Sequence, residues 1–198
     1  MKQNRQILLP VDFDDVSDMM LKLAFFLAKS IDATITLFNV VNDRKISDVN
    51  FAPVSEKIET LIKNGDLQKA NYQFVIKKGV PEAEILKYSE QNGVFLIIME
   101  TRVKQEKQKE LIGSITAEVI DASKVPVMVI PKGSDIMKLK NLYNVGLATS
   151  MRKFDDLTFQ NFMEFMDTFP DLKFELTMVH IQEKGEDASN YEKVMKQM

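Results

Sequence analysis

The sequence predicts an α/β protein: a five-stranded parallel sheet, doubly wound with helices on both faces, followed by a partial second α/β repeat. Three observations carry this. Short apolar runs alternate with segments of helical period through residue 131, and strands separated by helices pair in parallel through right-handed crossovers. The runs Ile7–Val11 and Val94–Met99 are unbroken, as in strands covered on both faces. Finally, Phe13-Asp14-Asp15-Val16 returns 141 residues later as Phe154-Asp155-Asp156-Leu157.

Taken in order, the first strand, Ile7–Val11, stops at Asp12. Val16, Met19, Met20, Leu23, Ala24 and Leu27 then recur at three- and four-residue spacing and make one apolar helix face. Asp14 or Asp15 is the expected cap, because a side-chain oxygen there accepts from the helix's free N–H groups. Thr34–Val41, rich in β-branched residues, is the second strand. A polar loop carrying Pro53 leads to a helix over about Ser55–Leu67, and Tyr72–Ile76 is the third strand. Gly79 and Pro81 turn the chain into a helix through Tyr88, with Pro81 suited to the first turn. Asn92-Gly93 ends it. Val94–Met99, the most apolar run, is expected as the central, fourth strand. Gly113-Ser114 opens a helix to about Ser123. Val125–Ile130 is the fifth strand, and Pro126, which cannot donate to a ladder, puts it at a sheet edge.

These elements make a complete domain over residues 1–133. A linker over 134–140 leads to a partial second domain over 141–198, with strand Asn144–Thr149, helix Phe154–Phe169, strand Phe174–Ile181 and the start of another helix. Ile35-Thr36-Leu37-Phe38-Asn39-Val40 matches Leu176-Thr177-Met178-Val179-His180-Ile181 at the same offset of 141, the mark of a duplication. A strand–helix–strand piece leaves an open edge and an uncovered face. The expectation is therefore a longer natural chain, with completion by a partner chain as the alternative. Phe159, Phe162, Phe165 and Phe169 would pack on the missing sheet, and would be exposed without it.

Composition removes several functions. A net charge of -3 gives no reason to expect a surface for nucleic acid or membranes. The absence of cysteine excludes disulfides, thiol catalysis and cysteine-rich zinc sites. The single histidine, His180, cannot supply a His-based metal site or a Ser–His–Asp triad. Asp12, Asp14 and Asp15 fit strand-end and capping roles better than a metal cluster, so no metal is expected. The 12 methionines fit helix and strand faces as core filler. The N-terminus lacks the apolar core of a signal peptide and no stretch could span a bilayer, which makes the cytoplasm the expected compartment.

In doubly wound sheets ligands sit at the carboxyl ends of the strands, where strand order reverses. With the first and fourth strands as neighbours, Asp12 and Met99–Glu100 flank that crevice. The informative stretch is Met99-Glu100-Thr101-Arg102-Val103, nine residues from Lys104 to Ile112, then Gly113-Ser114. Taken with ILLPVDF at Ile7, GVPEAEIL at Gly79 and VPVMVIP at Val125, it resembles the universal stress protein family over residues 5–131. The resemblance is weaker over 141–198, as for a tandem-domain member with its second domain incomplete.

The resemblance implies an adenine nucleotide alpha hydrolase-like fold. It also implies a nucleotide crevice lined by Pro10, Val11, Asp12 and Val40 at the adenine end, and by Met99, Glu100, Thr101, Val103, Gly113, Ser114 and Ile115 along the phosphate segment. In ATP-binding members the fourth strand ends in Gly-x-x-Gly, nine residues, then Gly-Ser or Gly-Thr, and glycine lets backbone N–H groups close on phosphate. Here Glu100 and Val103 stand at the two loop glycines. Val103 resists positive φ, and Glu100 sets a carboxylate where a triphosphate needs positive potential. Gly113-Ser114 remains as a half-site able to hold an anion, whereas the mixed-charge loop Arg102–Glu110 is read as solvated.

The expected function is a non-enzymatic stress-response protein with a degenerate nucleotide site and no cofactor. It would act through a homodimer or pseudo-dimer built on the edge strand Val125–Ile130, or through other protein partners. The alternative is an ATP- or AMP-binding sensor or slow ATPase with a rearranged phosphate loop. A hydrolase or transferase is the weakest reading, because no activated nucleophile or acid–base pair stands out and no catalytic residue is assigned.

Overall fold

A computed structural model of the chain describes residues 5–42, 45–101, 113–133, 144–149, 156–169 and 175–180. The chain divides into two compact units, Met1–Ile136 and Met137–Met198. In the first, the strands are β1 (Gln6–Pro10), β2 (Thr34–Val41), β3 (Asn71–Lys78), β4 (Val94–Thr101) and β5 (Val127–Pro131). Between them lie α1 (Asp18–Ile31), α2 (Ala52–Lys63), α3 (Pro81–Gln91) and α4 (Ser114–Ala122), with a 3-10 turn at Ile46–Asp48. The strands form one parallel sheet in the order β3-β2-β1-β4-β5. This is the doubly wound α/β architecture read from the alternation.

Strand pleating sends successive side chains to opposite faces, and each face has its own cover. Leu8, Phe38, Ile97 and Met99 pack with Ile85 of α3 and Val119 of α4 in one buried cluster. On the other face α1 buries Met20, Leu21, Leu23, Ala24, Phe25, Leu27 and Ala28, at roughly 1.5–3 kcal/mol for each large apolar side chain. That face also carries an aromatic chain along β3. Phe25 meets Tyr72, Tyr72 meets Phe74 edge-on, and Phe74 takes Phe13 edge-on at 5.5 Å and Phe51 in a stack at 4.9 Å. Phe13, only 4% exposed, thereby fastens the segment after β1 to the sheet.

The β1–β4 register shifts by one residue near its start: Gln6 pairs with Val94, but Ile7 pairs with Leu96. Phe95 is the extra residue, and the Arg5 guanidinium lies 5.1 Å from its ring centroid.

Several boundaries differ from the sequence reading for identifiable reasons. The centre of the sheet is β1, not the fourth strand; β4 is internal, between β1 and β5. Hydrophobicity reported that β4 is covered on both faces, and every non-edge strand of such a sheet shares that property. The cap of α1 is neither Asp14 nor Asp15 but Ser17, whose Oγ accepts from Met20 N at 3.2 Å. Val16 misled the pattern because it is buried ahead of the helix rather than within it. Helix α2 starts at Ala52, with Pro53 inside its first turn, where a missing N–H costs nothing. It stops at Lys63, before Gly65 with φ +78. Strand β5 does end the sheet, but Pro126 precedes it, its carbonyl accepting from Ile97 N at 3.0 Å.

The second unit contains β6 (Asn144–Thr149), α5 (Asp156–Asp167) and β7 (Glu175–His180). The two strands pair in parallel from Asn144↔Glu175 to Thr149↔His180. In α5 and just after it, Met166 and Phe169 are buried and Phe162 and Phe165 half-buried. The expected final helix and the linker lie outside the described residues.

Candidate functional site

Strand order reverses between β1 and β4, because β2 and β3 add to one side of β1 and β4 and β5 to the other. The ladders show what happens there. Strand β1 stays paired with β2 through Pro10↔Phe38, and β4 with β5 through Thr101↔Pro131. Between β1 and β4 the register stops at Leu8↔Ile97. The two strands therefore part at their carboxyl ends, and the crevice opens between Leu9–Pro10 on one side and Ile98–Thr101 on the other.

The segment Val11–Ser17 leaves β1 across this opening, and it is tied from several directions. Val11 N donates to Phe38 O at 2.9 Å, and Asn39 Nδ2 donates to Val11 O at 2.9 Å. Asn39 is 9% exposed in β2, and its amide satisfies a carbonyl that would otherwise be costly to bury. Asp12 Oδ1 accepts from Asp14 N at 3.2 Å and its carbonyl accepts from Asp15 N at 3.0 Å, which makes a tight turn. From α2, Lys57 Nζ donates to Val16 O at 2.6 Å and pairs with Asp18 at 2.7 Å.

Two contacts cross the mouth itself. Ser17 Oγ donates to Glu100 Oε1 at 2.8 Å. Just beyond β5, Lys132 Nζ reaches Asp15 Oδ2 at 3.3 Å, while Lys132 N donates to Thr101 O at 3.0 Å. The Ser17 hydroxyl has one proton and two acceptor lone pairs. Because it already accepts from Met20 N, its proton is the part left for Glu100. A charge-assisted hydrogen bond follows, beside the positive end of α1.

Among the residues named from the sequence, Pro10 ends β1 and Val11 and Asp12 follow it, while Glu100 and Thr101 end β4; the two groups lie on either side of the parted strands. Glu100 is half-buried and Thr101 buried. Met99 and Val40 turn away into the cluster under α3 and α4. Gly113, Ser114 and Ile115 form the exposed start of α4. Gly113 has φ -68, and a Cβ there would meet nothing within 4 Å. No part of the described chain therefore demands glycine at this position. Val103 and the loop Arg102–Glu110 lie outside the described residues. Among the described residues, no group of three or more His, Cys, Asp or Glu side chains could hold a metal ion, and no helix is long and apolar enough to cross a membrane.

Ser17, Lys132, Lys57 and Asn39 were not singled out from the sequence. Two of them left a trace there. Serine before an apolar helix is as good a cap as aspartate, and an asparagine inside TITLFNVV is a polar residue that must be satisfied once buried. The two lysines left none, because their partners lie 41 and 117 residues away.

Comparison with known proteins identifies the family. The model of the universal stress protein family matches residues 3–131. Two universal stress proteins of Methanocaldococcus jannaschii are similar to the chain. One is 27% identical over 156 residues, spanning 65% of this chain and 95% of the relative. The other is 29% identical over 140 residues, spanning 65% and 82%. A solved universal stress protein from Archaeoglobus fulgidus superposes with a TM-score of 0.60 at 24% identity, over 100% of this chain and 74% of that one. It supports the fold.

Proposed function

This chain belongs to the universal stress protein family, and on that premise we propose that it is a non-enzymatic stress-response protein whose nucleotide-type crevice no longer takes ATP in the usual mode. One observation carries the reading: the Glu100 carboxylate stands in the mouth, bonded to Ser17 at 2.8 Å. A second anion placed there would be repelled. Two unit charges about 4 Å apart at an effective dielectric of about 20 cost on the order of 4 kcal/mol, or roughly a thousandfold in Kd. Among the described residues, the surroundings do not offset this. Asp12, Asp14, Asp15 and Asp18 are all exposed on the adjoining segment, and Lys57 and Lys132 are engaged with Asp18 and Asp15. Val103 at the second loop-glycine position adds a β-branched residue where backbone would have to close on phosphate.

Output then falls to protein contacts. Strand β5 is a sheet edge with half-buried Val127, Met128 and Val129, a surface suited to pairing with a second copy or with other protein partners. Calorimetric titration with ATP, ADP and AMP tests the reading. The native chain should give no micromolar binding, and Glu100→Gly with Val103→Gly should recover it. Micromolar ATP binding by the native chain would sink the proposal.

The second reading is an ATP- or AMP-binding sensor or slow ATPase with a rearranged loop, and Gly113 favours it. A glycine that the chain's own backbone does not need, next to Ser114 at a helix start, fits close approach by an anion from outside. The same titration discriminates: nucleotide binding lost in Gly113→Val without loss of stability would select this reading.

A further inference from the structure

The geometry points to a device beyond a lost glycine motif: Glu100 and Lys132 form a two-point strap that holds the segment Asp12–Ser17 closed over the parted ends of β1 and β4. The inference rests on reading that opening as the family's crevice. Its physical content is independent of any nucleotide.

The strap is built from both far strands. Glu100, at the end of β4, accepts from Ser17 Oγ at 2.8 Å; Lys132, following β5, pairs with Asp15 at 3.3 Å. Neither partner is local, since 83 and 117 residues separate the pairs. The two contacts differ in strength. The first is half-buried and involves an ionised acceptor, so it resists solvent and salt. The second joins side chains that are 45% and 52% exposed, the regime in which ion pairs contribute little and are screened. Glu100 is therefore the latch and Lys132 a salt-sensitive aid.

Two further anchors decide where the segment gives way. Phe13 is held against Phe74 and Val16 is buried, with its carbonyl taken by Lys57. These fix its inner side to the sheet and α2, while the Ser17–Glu100 bond ties it to β4. Release of Glu100 therefore loosens the first turn of α1 and the turn before it, within the limits set by Phe13, Val16 and the Asp15–Lys132 pair, while the core stays intact. Any molecule entering between β1 and β4 has to displace Glu100 from Ser17 first. Entry and loosening of the start of α1 become one linked equilibrium, and by linkage each favours the other.

Amide hydrogen exchange on the full chain, free of ligand, tests the strap. The reporters are the Asp15, Met20 and Leu21 amides, each of which donates within this segment or the first turn of α1. Glu100→Ala should speed their exchange roughly tenfold, the scale of a hydrogen bond to a charged group, while β1 and β2 amides are unchanged. Glu100→Gln keeps a carbonyl acceptor for Ser17 but not its charge, so its rates should lie between those of the native and Ala chains. Lys132→Ala should give only about a twofold rise, abolished at high salt. Reporter rates that do not differ among native, Ala and Gln chains overturn the strap. So does a Glu100→Ala chain in which β1 and β2 speed up equally, because the loss is then global. Native ATP binding would defeat the preceding proposal without bearing on these ligand-free rates, and unaltered rates would defeat the strap without bearing on ATP.

Discussion

At the scale of single residues, Ser17 joins two jobs that are usually separate. Its oxygen caps α1 and its proton goes to Glu100. Ser17→Ala should therefore cost about 2 kcal/mol in urea unfolding, since a lost cap and a half-buried carboxylate deprived of its donor both contribute. Ser17→Thr should stay within about 0.5 kcal/mol, because threonine preserves the hydroxyl. Asn39→Leu removes the donor to Val11 O and is expected to cost roughly 1–3 kcal/mol, which thermal or chemical unfolding would register. The sequence made the Glu100 position conspicuous but not its partner. A family pattern marks which residue departs, whereas a hydrogen bond across 83 residues exists only once the strands are set side by side.

At the scale of elements, strand and helix types were readable throughout the first unit, because each carries its own period and its own punctuation. Their ends were less readable. Asp14, Asp15 and Ser17 are equally good caps in isolation, and the choice among them was made by tertiary contacts: Val16 went into the core and Ser17 to Glu100. Two glycines sharpen the point about local demands. Gly93, following α3, has φ +63, and alanine there should cost about 1–2 kcal/mol by the left-handed penalty. At Gly113, with φ -68 and open space around a Cβ, the poorer cap and the stiffer unfolded chain offset each other to within about 0.5 kcal/mol. Paired unfolding curves for the two alanine variants would check the contrast; equal losses would contradict it.

At the scale of the whole sheet, the order β3-β2-β1-β4-β5 puts β1 in the middle and leaves two edges. Alternation and crossover logic predicted a parallel doubly wound sheet. They could not name its centre, because a central strand and its internal neighbour bury both faces alike. Amide exchange should find β1 among the slowest segments and β3 and β5 among the faster ones. If β5 is the pairing surface, its protection should rise with protein concentration while that of β3 does not. Identical concentration dependence at both edges would rule out β5 as the specific contact.

The one-residue shift at Phe95 has a remote effect on the mouth. Before it, Val94 sides with the α3–α4 cluster; after it, Ile97 and Met99 do, and Glu100 emerges toward α1. An uninterrupted count would have reversed that assignment, pointing Glu100 into the apolar cluster and Met99 at Ser17. The character of the crevice is thus set partly by parity, at a place roughly 16 Å away along the strand. A relative that gained or lost one residue there could keep every letter of the loop and still present the opposite chemistry to whatever enters.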